Sequence, residues 1–237
     1  VWLYCCITPT QKKKQFEMKT KLEKVLAPFD HYVLEYDEWF DRYPHVFRSE
    51  VEALREKLPF GESRGIEIGL GTGRFSSELG MKEGIEPSFQ MRRMAINRGI
   101  EVMDAVAERL PYKDLQMDFV LMASCISYFY NMHKAFLEAY RVLKPGGVLI
   151  IGFIEKDSPI GKIYEKRRSE STFYRQAEFY RISRVVAELK RTGFKFFEFS
   201  QTLFGRLDEI HEFQPAKPGF GDGSYVVVKA TKKNRLT

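Results

Sequence analysis

The sequence predicts an α/β protein with a mostly parallel sheet and helices on both faces. Three observations lead to this. From Gly65 to Ile154 short apolar runs alternate with helix-patterned segments. The first of these runs ends in three glycines spaced two apart and then enters a helix. Near the C-terminal end, two strand-like runs follow one another with no helix between them, which predicts a terminal antiparallel hairpin on the sheet edge.

Taken in order, "FDHYVLEYDEWFDRYPHVFRSEVEALREKLPF" mixes aromatics and charges at helical spacing, with Val51, Leu54 and Leu58 on one stripe. Pro44 interrupts the pattern, so two helices are expected, over 30–42 and 46–58. "GIEIG" then reads as a strand, "RFSSELG" as a short helix, and "EGIEPS" as a strand end. "FQMRRMAINRG" is a helix closed by Gly99, followed by the strand "IEVMD". "MDFVLMAS" is a buried strand, "HKAFLEAYRVL" a helix, and "KPGG" its stop signal before the apolar strand "VLIIGFI". A polar insertion spans 155–177, then helix "EFYRISRVVAELKRTG" and the strands "FKFFEFSQTLF" and "GSYVVVKAT".

At 237 residues and 44% hydrophobic composition, the chain has enough material for one sizeable core. One domain is expected over 25–231: a helical cap (25–60), a core (64–154), the insertion (155–177), and the last helix and hairpin (178–231). Residues 1–24 read as a disordered leader and 232–237 as a basic tail. No apolar run approaches the roughly 18 residues of a membrane span. Cys5, Cys6 and Cys125 form no C-x-x-C pair, so neither a zinc site nor a disulfide framework is supported, no metal is expected, and a reduced, cytoplasmic setting is the default. The net charge of +6 divides into +4 in residues 1–24, +4 in residues 229–237 and −2 in the body. Basic ends on a mildly acidic body read as solubilising rather than as a nucleic-acid groove.

The stretch "IEIGLGTGRF" holds the main chemical signal. Glycines at a strand-to-helix turn expose main-chain N–H groups and let a ligand approach the backbone. The dinucleotide fingerprint is G-x-G-x-x-G with an acid about 20 positions further on. Here the loop runs Gly69-Leu70-Gly71-Thr72-Gly73, Arg74 stands at the third-glycine position, and Glu86 follows Gly69 by 17 residues at the end of the next strand. Its carboxylate is suited to both hydroxyls of a ribose. A purely structural tight turn is the alternative.

With these residues in hand, "EIGLGTG", "GIEPS", "AERLPYKDLQMDFVLM" and "EAYRVLKPGGVLIIG" resemble, in order, the motifs of class I S-adenosylmethionine-dependent methyltransferases of the small-molecule, type 11-like kind. The resemblance implies a Rossmann-like, seven-stranded sheet and S-adenosylmethionine as cofactor, with S-adenosylhomocysteine as product. It implies that Glu67, Gly69, Leu70, Gly71, Thr72 and Gly73 surround the methionine end. It further implies that Glu86, with Pro87 and Ser88, meets the ribose, and that Val106, Ala107 and Glu108 lie beside the adenine. Such enzymes often carry Asp just before that alanine, whereas this chain has Val106, with Asp104 two positions earlier. Ser124 and Cys125 correspond to the floor beneath the sulfonium, and Tyr128 to the substrate side.

Methyl transfer from a sulfonium is an in-line displacement, for which alignment supplies much of the rate and a base is needed only when the acceptor must lose a proton. Tyr128 and His133 are the candidate catalytic residues; His45, His31 and His211 are lesser ones. Tyr36, Trp39, Phe40 and Tyr43 form one helical face, which fits core packing or an aromatic cap at the substrate, where cation–π contact is available. The insertion carries six basic and three acidic residues between Lys156 and Arg175, and reads as a solvated surface or as a lid that prefers an anionic or polar substrate. The expected partner is a small-molecule methyl acceptor reacting at O, N or C, with no membrane. The [DN]-P-P-[YFW] motif of base-amine methylation is replaced by "SCIS", which argues against nucleic acid. An NAD(P)-dependent oxidoreductase and a non-catalytic S-adenosylmethionine-binding protein are the alternatives.

Overall fold

The computed structural model describes residues 9–233, with side chains from Lys19 onward. Three helices come first: α1 (Pro9–His31), α2 (Val33–Arg42) and α3 (Pro44–Arg55). The alternating region follows as β1 (Gly65–Ile68), α4 (Arg74–Leu79), β2 (Glu83–Ile85), α5 (Phe89–Asn97), β3 (Glu101–Met103), β4 (Met117–Ala123), α6 (Met132–Val142) and β5 (Leu143–Ile154). The chain then forms α7 (Pro159–Lys166), α8 (Ile182–Thr192), β6 (Phe194–Thr202), β7 (Lys217–Pro218) and β8 (Tyr225–Lys232).

The sheet has eight strands in the order β3-β2-β1-β4-β5-β8-β6-β7. Pairs among β1 to β5 are parallel, and β8 pairs antiparallel with both β5 and β6. The strand count exceeds the expected seven by the two-residue β7, which pairs with Ser200 and Gln201 of β6. The hairpin is antiparallel as expected, but its second strand lies inside the sheet and only its first faces outward. The residues explain this. "YVVV" in β8 is apolar at every position and buried on both faces, whereas β6 carries exposed Lys195 and Phe196 and a register shift beside them.

Side chains alternate across the sheet into two cores. Val120 and Met122 of β4, Leu149 and Ile151 of β5, and Val226 and Val228 of β8 pack with α6 and α8. Phe119, Leu121, Ile150, Tyr225 and Val227 pack on the other face with Phe40, Val46, Val51 and Leu54 of α2 and α3. The helical cap therefore completes the second core.

Two expectations need correction. Residues 9–24, read as leader, belong to α1, and Val25 is buried. Leu22, Val25, Leu26 and Phe29 recur at i, i+3, i+4 and i+7, an apolar stripe that requires a partner surface. The helix expected over 30–42 begins at Val33, because α1 itself extends to His31. Cys5, Cys6 and the end of the basic tail lie outside the described residues. No helix among the described residues is long and apolar enough to cross a membrane.

Candidate functional site

The glycine loop leaves β1 at the C-terminal edge of the parallel strands, the usual ligand position in such sheets. Gly69 has φ +67°, and a Cβ there would stand 2.9 Å from the Cβ of Cys125. Only glycine permits both the backbone turn and this close approach of the loop to the end of β4. Cys125 donates its thiol to the Ile68 carbonyl at 3.0 Å, and burial pushes that thiol well above its usual range, so it stays protonated. Ser124 adopts φ +55°, an uncommon conformation for a residue with a side chain. Its N–H donates to the Gly152 carbonyl at 2.8 Å, which holds the turn in place.

A first cavity opens over this edge. It is lined by Gly69 and Gly71, by Glu86 and Pro87, by Val106, Ala107 and Glu108, and by Ser124, Cys125 and Tyr128. Glu86 accepts the Gly71 N–H on Oε2 at 2.9 Å and the Ser88 N–H on Oε1 at 2.8 Å. Each oxygen keeps capacity for a further donor. Burial raises this carboxyl to about 7, against the pull of the two N–H groups. Glu67 is buried and accepts the Ser76 hydroxyl on Oε2, while its Oε1 has no partner; burial raises it to about 8.

Five expected contacts do not line this cavity. Glu67 stands on β1, two residues before the loop. Leu70 packs with Ala95 and Ile100 of the α5 region, and Gly73 presses against the same two residues. Thr72 turns its carbonyl to Arg98 at 2.6 Å. Ser88 caps α5 by accepting the Met91 N–H, and gives its hydroxyl to Asp30 at 2.7 Å. Asp104 is exposed and paired with Arg92 at 2.9 Å, so it does not stand in for the missing acid at Val106. A further wall is one that the sequence did not reveal: Leu22, Val25, Leu26 and Phe29 of α1.

A second, larger cavity, about 490 Å³ against about 130 Å³, adjoins the first and shares Tyr36, Ser124 and Tyr128 with it. Trp39, Phe40 and Tyr43 line it together with Tyr36, so the aromatic face of α2 looks into this space. The insertion supplies Phe173 and Tyr174, and none of its basic side chains lines the cavity. Of the two expectations for the insertion, the solvated surface fits its basic side chains, which lie outside the cavity, while its rings and Ser171 face inward. Phe29 contacts Tyr128 edge-on at 5.1 Å and Tyr36 at 5.7 Å, and Phe173 lies 5.5 Å from Phe29, so rings from four segments surround the junction. Tyr128 keeps its proton, because burial pushes its phenol well above the usual range, which removes it as a base near neutrality.

His133 lines neither cavity. It sits on α6, accepting from Arg191 Nε at 3.2 Å and lying 3.4 Å from Glu188 of α8. His31, His45 and His211 are exposed and also line neither cavity. Glu50 of α3, not among the expected site residues, lines the second cavity and is buried. Its signal was present in the sequence: Val46, Glu50 and Leu54 recur at i, i+4 and i+8, placing a carboxyl within an apolar stripe. Among the described residues no group of three His, Cys, Asp or Glu side chains is arranged to hold a metal ion.

Comparison with known proteins agrees with this architecture. Residues 66–151 match the family model described as "Methyltransferase domain". An uncharacterized protein of Methanocaldococcus jannaschii is 42% identical over 204 residues, covering 86% of this chain and 98% of that one. A solved structure from Thermotoga maritima, described as a SAM-dependent methyltransferase and possible histamine N-methyltransferase, is 40% identical with a TM-score of 0.85, covering 88% of this chain and all of that one. The fold is also that of a Haemonchus contortus phosphoethanolamine N-methyltransferase solved with S-adenosylmethionine, at 18% identity and TM-score 0.59, covering 78% and 52% of the two chains.

Proposed function

The chain belongs to the S-adenosylmethionine-dependent methyltransferases, and from that premise we propose that it methylates a small molecule held in the second cavity. The observation that carries this is the meeting of two cavities at Tyr36, Ser124 and Tyr128. One is edged by a glycine loop and a buried carboxyl, the other by aromatic rings. A concave, ring-walled space suits a compact acceptor rather than a polymer.

The residues present fit the cofactor. Glu86 lines the cavity with acceptor capacity left on both oxygens, and Gly71 borders it with no Cβ to obstruct it. Gly69 and Gly71 would hold the methionine end, Glu86 the ribose hydroxyls, and Ala107 and Glu108 the adenine side. With Val106 in place of an acid, adenine recognition rests on main-chain groups. When bound, the cofactor supplies a methyl group on a sulfonium, an electrophile that needs an aligned acceptor above all. Ser124 and Cys125 would form the floor beneath it. Tyr36, Tyr128 and Phe29 keep water from the junction, and their faces favour a cation.

Calorimetry with S-adenosylmethionine, S-adenosylhomocysteine and NAD tests the proposal. Both adenosyl compounds are expected to bind and NAD is not. Tight NAD binding with neither adenosyl compound bound would overturn it. Transfer of labelled methyl into metabolite extracts separates an enzyme from a protein that binds the cofactor without turnover.

A further inference from the structure

Glu50 is 5% exposed and lies at the middle of α3, with Val46 and Leu54 one turn to either side. No hydrogen bond or ion pair reaches its carboxyl among the described residues. The other buried carboxyls are all engaged. Asp37 takes two guanidinium groups, Glu67 a hydroxyl, Glu86 two main-chain N–H groups, Glu108 one, and Glu188 two arginines. A carboxyl withdrawn from water without a partner costs stability, so a lone one that lines a cavity points to a ligand that completes it.

The surroundings limit the chemistry of that ligand. Trp39, Tyr43, Tyr164, Tyr174 and Phe179 present ring surface to the same space, which favours an apolar body and a positive charge. The phenols that feel the Glu50 charge come from every side: Tyr36 on α2, Tyr164 on α7, Tyr174 on the insertion and Tyr225 on β8. Burial pushes all four upward, so they are neutral near pH 7. The remaining formally charged lining residues, Glu35 and Arg42, are both exposed and of opposite sign. Among the described residues no buried cation lines this cavity to receive an anionic acceptor.

Resting on the methyltransferase proposal, we propose that Glu50 is the specificity-determining residue of the acceptor cavity. It selects a primary or secondary amine whose N–H groups meet the carboxyl and whose apolar, ring-sized body lies between the aromatic walls. A neutral alcohol brings no charge for the carboxyl to pair with, and an anion meets no buried cation in the cavity lining. Proton bookkeeping makes this measurable. Burial raises Glu50 to about 8, so the empty site holds a mostly protonated carboxyl at pH 7, while a free alkylamine is an ammonium. Whether the pair settles as carboxylate and ammonium or as carboxylic acid and amine, it holds one proton fewer than the separated partners. Binding therefore releases close to one proton.

The experiment is calorimetry at pH 7, with S-adenosylhomocysteine saturating, in two buffers of different ionisation enthalpy. The probes are 2-phenylethylamine and cyclohexylmethylamine, each beside its alcohol and carboxylate counterparts. Both amines are expected to bind about tenfold or more tighter than the alcohols, with proton release seen only for the amines. In Glu50→Gln that preference and the release are expected to vanish while S-adenosylhomocysteine affinity is kept; Glu50→Asp is expected to retain part of both. Equal binding of amines and alcohols by the wild-type protein overturns the proposal whatever the variants do, and so does an amine preference that survives in Glu50→Gln. Failure of S-adenosylhomocysteine to bind would instead bring down the methyltransferase proposal itself.

Discussion

Arg74 Nη2 donates to Asp37 Oδ2 at 2.6 Å, joining the residue at the loop's third-glycine position to the helical cap. Asp37 also accepts from Arg98 at 2.8 Å, and Arg98 in turn donates to the Thr72 carbonyl within the loop. Arg74 reaches Asp41 as well, at 2.8 Å. The side chain that departs from the dinucleotide fingerprint is thus the one that fastens α2 over the site. Tyr36, which lines both cavities, is the immediate neighbour of Asp37.

Breaking this latch should loosen the cap. Asp37→Ala leaves two guanidinium groups facing a largely buried gap, and removing one partner of a buried pair costs about 3–5 kcal/mol. Arg74 is partly exposed, which reduces the expected loss to about 2–4 kcal/mol. Chemical denaturation measures it directly. An unchanged midpoint would show that the cap is held by its aromatic contacts alone.

Glu86→Ala should weaken S-adenosylhomocysteine binding by about 1.5–3 kcal/mol, the worth of hydrogen bonds to a charged group. Calorimetry at constant pH is the measurement. Affinity equal to wild type would remove Glu86 from the ribose role.

Gly69→Ala should destabilise the fold by about 1–3 kcal/mol through its positive φ and its contact with Cys125. The clash is between Cβ atoms, so Cys125→Ser should leave the penalty of Gly69→Ala in place. Urea denaturation of the single and double variants distinguishes this from a penalty that the sulfur itself imposes.

Stability of the ligand-free protein should fall as pH rises from about 4.5 toward 8. Burial raises Glu50 and Glu67 to about 8, so between those limits the folded state binds more protons than the unfolded one. The stabilising contribution is complete below the ordinary carboxylate range and is lost as pH passes through the raised value. Each group contributes on the order of a few kcal/mol to this slope. Denaturation at pH 5.5 and 8 should show the decline, and Glu50→Gln should flatten it. A rise in stability over that interval would mean that these carboxyls are ionised in the folded protein.

The glycine loop and Glu86 were legible because their chemistry is local: a turn requiring positive φ and an acid at the end of the next strand. The aromatic face of α2 was legible from its helical period. The α1 wall is hard to read in the sequence because a lysine-rich segment runs into the stripe Leu22, Val25, Leu26 and Phe29. His133 looked available as a base because sequence spacing does not say which face of α6 it occupies.

The order of strands and helices, the parallel core and the glycine loop were determined by the sequence, since apolar period and glycine position act over a few residues. The tertiary structure alone decided that β8 lies inside the sheet and that Arg74 latches Asp37. It also decided that Glu50 remains, among the described residues, without a partner and surrounded by rings from four segments. These depend on contacts between residues far apart in the chain, where packing selects among surfaces that the local pattern leaves equivalent.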